Sequence, residues 1–183
     1  IEFCDELDNN CDGQTDENSS QDASTWYADI DGDGFGDSTN TTIACEAPTG
    51  YITDDSDCND SDSFVFPNAT ELCDGQINDC NATILDPAEL DDDGDGYVEC
   101  TLAITNWAGA PVLGGGDCND SESTIYPTAT ELCDGQINDC NSSNLPSDEL
   151  DDDGDGYVEC VWDTNGWDGG SAIIGDNDCD DTD

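Results

Sequence analysis

The sequence predicts a mostly irregular, small-β fold: tandem repeats stapled by disulfides and laid out as an elongated array. Three observations carry this reading. Twelve cysteines recur at regular spacing within 183 residues. A segment of the chain returns nearly unchanged at an offset of 60 residues. Gly, Asn, Asp and Pro interrupt every apolar run, and no helical periodicity develops.

The repeat comes first. The stretch from Ala69 to Asn81 returns from Ala129 to Asn141, and Glu89 to Cys100 returns as Glu149 to Cys160. Asp57-Cys58-Asn59-Asp60 is matched by Asp117-Cys118-Asn119-Asp120 and by Asp178-Cys179-Asp180-Asp181. Glu2-Phe3-Cys4-Asp5 stands where Glu71-Leu72-Cys73-Asp74 stands one copy later. Three units follow: 1–70, divergent and carrying insertions, 71–130, and 131–183, which is incomplete at its C-terminal side.

Each unit holds four cysteines. One pair is the short C-x6-C: Cys4/Cys11, Cys73/Cys80 and Cys133/Cys140. The other pair is Cys45/Cys58, Cys100/Cys118 and Cys160/Cys179. Local bonding within each pair is the expectation, although four cysteines per unit leave three pairings open. A dense, even count implies an oxidising compartment, hence a secreted or cell-surface protein. Zinc–thiolate sites fit poorly, because the spacing is wrong and no His is present. Short β candidates lie at 24–28, 50–53, 63–66, 97–102, 124–126 and 157–162, with Trp26, Trp107, Trp162 and Trp167 expected in small clusters under loops.

Charge poses the next problem. The chain has 48 Asp and Glu and no Lys, Arg or His, a net charge of −48. No side-chain cation exists to balance a carboxylate. Two carboxylates about 4 Å apart repel by roughly 4 kcal/mol near a protein surface. A compact state therefore needs cations from solution between them. The same charge excludes nucleic acid as a partner, and no apolar run is long enough to span a membrane.

The pattern D-x-D-x-D-G says where such cations go. It occurs as Asp29, Asp31 and Asp33, as Asp91, Asp93 and Asp95, and as Asp151, Asp153 and Asp155, each followed by Gly. Carboxylates at positions 1, 3 and 5 of a tight loop converge on one hard ion, and the position-7 carbonyl adds an oxygen. Position 7 is Phe35, Tyr97 or Tyr157; position 9 is Asp37, Glu99 or Glu159. The bidentate Glu that closes an EF-hand loop is missing, so other segments must complete the shell. The natural donors are Asp57, Asn59 and Asp62, then Asp117, Asn119 and Glu122, then Asp178, Asp180 and Asp183. A second site per unit is expected from these clusters with Glu71, Asp74 and Asn78, with Glu131, Asp134 and Asn138, and with Glu2, Asp5 and Asn9 in the first copy. Oxygen-only donors select calcium, not copper or zinc.

These strings resemble a known family. Glu-x-Cys-Asp-Gly-x-x-Asn-Asp-Cys, then D-x-D-x-D-G-Tyr, then Asp-Cys-Asn-Asp, then Tyr126-Pro127-Thr128-Ala129-Thr130-Glu131, are similar to the metal-binding repeats of secreted and surface-attached microbial proteins. The family takes its name from a methanotroph copper protein. The resemblance implies extracellular, calcium-dependent modules used in stalks or matrices. D-x-D-x-D-G also resembles thrombospondin type 3 loops.

Three roles fit. The first is a calcium-rigidified extracellular rod or filament segment. It would be cut from a longer array and meet flanking repeats, or meet its next copy head to tail with Asp183 near Glu2. The second is a calcium-dependent adhesin or docking module that contacts a surface partner through Asn106-Trp107 and Gly166-Trp167. The third is an acidic calcium-gathering matrix protein. No enzyme is expected, since His and Lys are absent and every acidic cluster recurs with the repeat. Asn-x-Ser/Thr at Asn18, Asn40, Asn59, Asn68, Asn81, Asn119 and Asn141 allows glycosylation.

Overall fold

The computed structural model describes residues 1–103, 107–162, 166–170 and 172–179. Regular structure is sparse among them. β1 (Ser24–Ala28), β2 (Asp37–Ala44) and β3 (Tyr51–Ile52) form one antiparallel sheet in the order β2-β1-β3. β4 (Tyr97–Val98) and β5 (Gly114–Gly115) form a two-residue parallel ladder. Two single 3-10 turns, Pro87–Glu89 and Ser147–Glu149, occupy matching places in successive copies. The irregular small-β class is what the structure shows.

β1 forms where the sequence places it, because Thr, Trp and Tyr suit a half-buried pleat. Of the other candidates, 50–53 yields Tyr51–Ile52 and 97–102 yields Tyr97–Val98. The runs 63–66, 124–126 and 157–162 contribute only isolated bridges at Phe66, Tyr126 and Tyr157. Gly and Asp on either side of these runs stop the ladders. The longest strand, β2, was not expected. Its inward positions are Asn40, Thr42 and Ala44, while Ile43 is 52% exposed, so its alternation carries no apolar face.

Contacts gather the chain into two compact units. One holds Ile1–Leu72 with Gln76–Asp86; the other holds Cys73–Gly75 with the residues from Pro87 onward. The three residues Cys73–Gly75 join the second unit because Cys73 is bonded to Cys100 and Glu89 Oε2 takes the Asp74 and Gly75 N–H groups at 2.9 and 2.6 Å.

Neither unit has a large apolar core. The largest fully buried side chains are Val98, Val158, Asn78, Asn138 and Asp74. Covalent links do the work that apolar burial does elsewhere. Five disulfides are present: Cys4–Cys45, Cys58–Cys80, Cys73–Cys100, Cys118–Cys140 and Cys133–Cys160. This corrects the local pairing. Cys4/Cys11, Cys73/Cys80, Cys133/Cys140, Cys45/Cys58, Cys100/Cys118 and Cys160/Cys179 are not bonded pairs. The two cysteines of a C-x6-C turn are held by different neighbours. The Cys73 carbonyl receives the Ala103 N–H at 3.0 Å, while the Cys80 N–H goes to the Phe66 carbonyl at 3.3 Å. Cys11 and Cys179, counted with the disulfides from the sequence, are exposed free thiols.

The tryptophans pack locally. Trp26 Nε1 donates to the Ala44 carbonyl at 3.0 Å. Trp107 and Trp167 lie against glycine backbone: a Cβ at Gly75 would sit 2.7 Å from Trp107 Cε2, and one at Gly135 would sit 2.5 Å from Trp167 Cζ2. Asn106, the other half of the first docking pair, lies outside the described residues.

Candidate metal centre

Each D-x-D-x-D-G loop is wound by its own carboxylates. Asp29 Oδ1 accepts the Gly32 N–H at 2.8 Å, Asp31 Oδ1 that of Asp33 at 3.2 Å, and Asp33 Oδ1 that of Phe35 at 2.8 Å. The second loop repeats this: Asp91 takes Gly94 at 2.7 Å, Asp93 takes Asp95 at 3.1 Å and Asp95 takes Tyr97 at 2.8 Å. The third does so through Asp151, Asp153 and Asp155 at 2.7, 3.0 and 2.9 Å. These are side-chain-to-backbone turns of the kind Asp favours. Glycines at positions 4 and 6 take the left-handed conformation the winding needs, with φ of 85° and 98° at Gly94 and Gly96. At least one oxygen of each carboxylate is thereby fixed to the backbone, and Asp91 and Asp151 commit both, their second oxygens accepting the Gly96 and Gly156 N–H groups at 3.1 Å.

The second acidic cluster meets the loop. Carboxylate oxygens of Asp31, Asp57 and Asp60 lie within 4.8 Å of one another, as do those of Asp29, Asp31 and Asp33, and those of Asp91, Asp93 and Asp95. Asp60 Oδ1 accepts the Ile30 N–H at 2.6 Å, and Asp120 Oδ1 accepts the Asp92 N–H at 2.9 Å. Asp57 and Asp117 bind the Asn59 and Asn119 N–H groups through Oδ1 at 2.9 and 2.8 Å. Their other oxygens are left over. Asp31, Asp33, Asp57 and Asp60 each bury an Oδ2 that accepts no hydrogen bond, and so do Asp93, Asp95 and Asp117. A buried acceptor without a partner costs about 1–3 kcal/mol, and more when charged. Several orphan oxygens from two segments facing one point describe a cation cage.

Electrostatics agree. Burial pushes Asp31 and Asp33 above the ordinary carboxylate range, and the charges of Asp57 and Asp29 add to both. Asp95 is raised by burial, then by Asp93, Asp117 and Asp91; Asp120 by burial, then by Asp117, Asp92 and Asp93. In the third loop the Asp155 N–H pulls Asp153 down, but desolvation and the charges of Asp155, Asp178 and Asp151 leave it raised. Asp180 and Asp183 lie outside the described residues.

The remaining expected ligands fall elsewhere. The Asp37 carboxylate takes the Thr39 N–H and hydroxyl at 2.7 and 2.8 Å, on the rim of a cleft shared with Asp57 and Asp60. Glu99 lines the equivalent cleft with Asp92 and Asp120. Glu159 is exposed. The rings of Phe35 and Tyr97 stack on Phe66 and Tyr126, with centroids 5.3 and 5.2 Å apart. Asn59 and Asn119 turn their side-chain oxygens to the Ser61 and Ser121 hydroxyls, both at 2.8 Å. Asp62 and Glu122 face Gln76 and Gln136 at 3.0 and 3.4 Å.

The second-site residues organise the C-x6-C turn. Glu71 accepts the N–H groups of Asn78 and Asp79, both at 2.9 Å; Glu131 accepts those of Asn138 and Asp139 at 2.9 and 3.1 Å; Glu2 accepts those of Asn9 and Asn10 at 3.4 and 3.0 Å. Asn78 and Asn138 accept the Leu72 and Leu132 N–H groups, each at 2.7 Å. Asp134 takes Gln136 N–H and Asn138 Nδ2, while Asp5 takes Leu7 N–H and Asn9 Nδ2. Asp74 is buried. The observed role of these groups is to close the turn.

Sequence reasoning missed four residues. Asp60 and Asp120 stand three positions after Asp57 and Asp117, and the tight turn at Asn59 and Asn119 brings each pair to one side; that i, i+3 spacing was the available signal. Glu89 and Glu149 are 3% exposed and cap the Asp74–Gly75 and Asp134–Gly135 amides. Burial raises Glu149 above its usual pKa. Among 48 acidic residues nothing in the sequence sets these two apart.

A family described as "Putative metal-binding motif" matches residues 1–17, 57–84 and 117–144. The motif is thus matched three times along the chain. The second and third copies open at Asp57 and Asp117, the inward-facing carboxylates, and run through the disulfides Cys58–Cys80 and Cys118–Cys140. The D-x-D-x-D-G loops lie outside the matched residues, and the first two loops are each followed by a matched copy that opens at Asp57 or Asp117. No curated protein and no solved structure matches the chain.

Proposed function

We propose that this metal-binding repeat protein is an extracellular structural module in which calcium ties each D-x-D-x-D-G loop to the acidic cluster that follows it and stiffens the array. The observation that carries the reading is the set of orphan carboxylate oxygens on Asp31, Asp33, Asp57 and Asp60, repeated on Asp93, Asp95 and Asp117. The family name refers to copper, but the donor set does not suit that ion. The cages offer carboxylate oxygen alone, the chain has no His or Met, and Cys58, Cys80, Cys118 and Cys140 hold their sulfur in disulfides. Many carboxylates in a flexible loop suit calcium better than magnesium, which demands a near-ideal octahedron.

Five disulfides support an extracellular setting. A rod or filament segment remains the preferred role over an adhesin. The half-buried Trp107 and Trp167 are occupied by glycine backbone, which weakens them as a docking surface. No enzyme is expected, since the usual nucleophile–base pairs need a His or Lys that the chain lacks.

The test is a calcium titration across pH. Asp31, Asp33, Asp95 and Asp120 have folded pKa values above 3.8. In the metal-free chain the folded state therefore holds protons more tightly than the unfolded one, and stability falls as pH rises through those values. Calcium needs the same groups ionised, so its affinity rises over the same interval. The expected result is a metal-free melting temperature that declines from pH 4 to pH 7 while calcium binding strengthens by about tenfold or more. Copper binding that calcium cannot displace would contradict the reading.

A further inference from the structure

The second compact unit holds a cavity of about 400 Å3 beside the third Asp-rich loop. Leu145, Leu150, Trp167 and Ile173 give it an apolar wall, and the buried Glu149 lines it as well. Trp167 is part of that wall and not a protruding contact. Its indole edge lies on Gly135 and Gly169, where an added Cβ would come within 2.5 Å of Cζ2 and 2.8 Å of Nε1 respectively.

Glu149 sets the chemistry. The residue is 3% exposed, and the sequence has no Lys, Arg or His that could pair with it. Its Oε2 accepts the Asp134 and Gly135 N–H groups at 3.3 and 2.8 Å, while Oε1 accepts no hydrogen bond among the described residues. A carboxylate oxygen in apolar surroundings without a donor or a counter-charge is costly. Asp151 also lines the cavity, but it commits both oxygens to the Gly154 and Gly156 N–H groups at 2.7 and 3.1 Å. It adds negative potential and no free acceptor.

Two arguments select the cation. Calcium takes about six to eight oxygen ligands, and indole and aliphatic walls cannot supply them. A cavity of roughly 300–1,000 Å3 with apolar walls and a few polar groups suits an organic ligand instead. Among organic cations, a guanidinium binds a carboxylate best through both oxygens, and Oε2 of Glu149 is already taken by two amides. A compact ammonium needs only one oxygen. Leu145, Leu150 and Ile173 offer apolar surface to an aliphatic stem, and Trp is the side chain that attracts a cation most strongly.

We infer that this cavity binds an aliphatic ammonium, with Glu149 Oε1 as its acceptor and Trp167 and the aliphatic side chains around its stem. The 183 residues contain no Lys, so the ammonium is supplied from outside them, by a lysine side chain of another protein or by a free diamine. The inference does not rest on the calcium reading.

The test is an NMR titration of the folded chain, 15N-labelled at tryptophan and held in saturating calcium. The probes are Nα-acetyl-lysine methylamide, cadaverine and the uncharged Nα-acetyl-norleucine methylamide. The Trp167 indole signal, assigned through W167F, should move saturably with the lysine amide, with cadaverine or with both, and stay in place with the norleucine amide. The tighter of the two amines identifies the source. Glu149→Gln keeps an oxygen for the Asp134 and Gly135 amides and removes the charge; it should weaken binding at least about tenfold. Ala172 also lines the cavity. Ala172→Phe fills the space with Glu149 intact and should abolish binding, so the test stands even where Glu149→Gln fails to fold. No saturable shift with either amine, equal binding of the norleucine amide, or binding that a folded variant leaves unchanged, as for a counterion gathered by a charge of −48, would overturn the inference. A chain that melts higher in calcium yet shows no amine-dependent shift defeats this inference alone.

Discussion

Removing calcium is expected to lower the melting temperature more than any single substitution can. A site kept at about 100 times its dissociation constant adds about 2.7 kcal/mol to the fold. The compact unit that contains Asp29–Asp33 holds one loop, and the unit that contains Asp91–Asp95 and Asp151–Asp155 holds two. Units of roughly 80 and 100 residues shift by about 4–8 °C per kcal/mol. Chelation should therefore lower the first unit's transition by about 10–20 °C and the second's by about 20–40 °C. The physical cause is the repulsion among orphan carboxylates, which no Lys or Arg is present to relieve. Differential scanning calorimetry with and without chelator reads both shifts, and the inequality between the units checks the assignment of loops to cages.

The second large effect is expected from the cross-links. Cys73–Cys100 closes a loop with a separation of 27, for which chain entropy predicts about 3.6 kcal/mol. Replacing both cysteines by Ala should lower the melting temperature of the second unit by about 15–25 °C. The reason goes beyond loop entropy. That bond holds Asp74 and Gly75 where Glu89 can take their amide hydrogens, so its loss also exposes a buried carboxylate. Cys4–Cys45 closes a longer loop, yet it ties a turn whose Asp5 and Asn9 are already exposed. Its removal should cost less than the entropy of its length suggests. Thermal unfolding of the two double variants in saturating calcium separates these cases.

Much of this was legible in the sequence, for reasons that particular residues make plain. The winding of the Asp-rich loops was, because alternating Asp with Gly at positions 4 and 6 favours side-chain-to-backbone turns. β1 was, because Thr25, Trp26 and Tyr27 are strong strand formers set between turns. β2 was not: pairing with β1 selects it, not an apolar stripe of its own. Disulfide connectivity was not legible either. It depends on where the chain returns after each loop, and nearness in sequence between Cys73 and Cys80 says nothing about that. Glu89 and Glu149 were hidden by composition, since a buried acid looks like any other until the fold places amide donors against it. Asp60 and Asp120 were readable as acidic neighbours of the ligand cluster, but their reach to the loop appears only when the Ile30 and Asp92 amides are seen to meet them.

Loop and following cluster are proposed to form one cage. Native mass spectrometry of the calcium-loaded chain, counting ions in the parent and in the double variant Asp117→Asn/Asp120→Asn, tests it most directly. The parent should carry three tightly held calcium ions, one for each D-x-D-x-D-G loop, and the variant two. Asp91, Asp93 and Asp95 remain in place in that variant, so an unchanged count would show that the loop binds its ion alone and would contradict the shared cage.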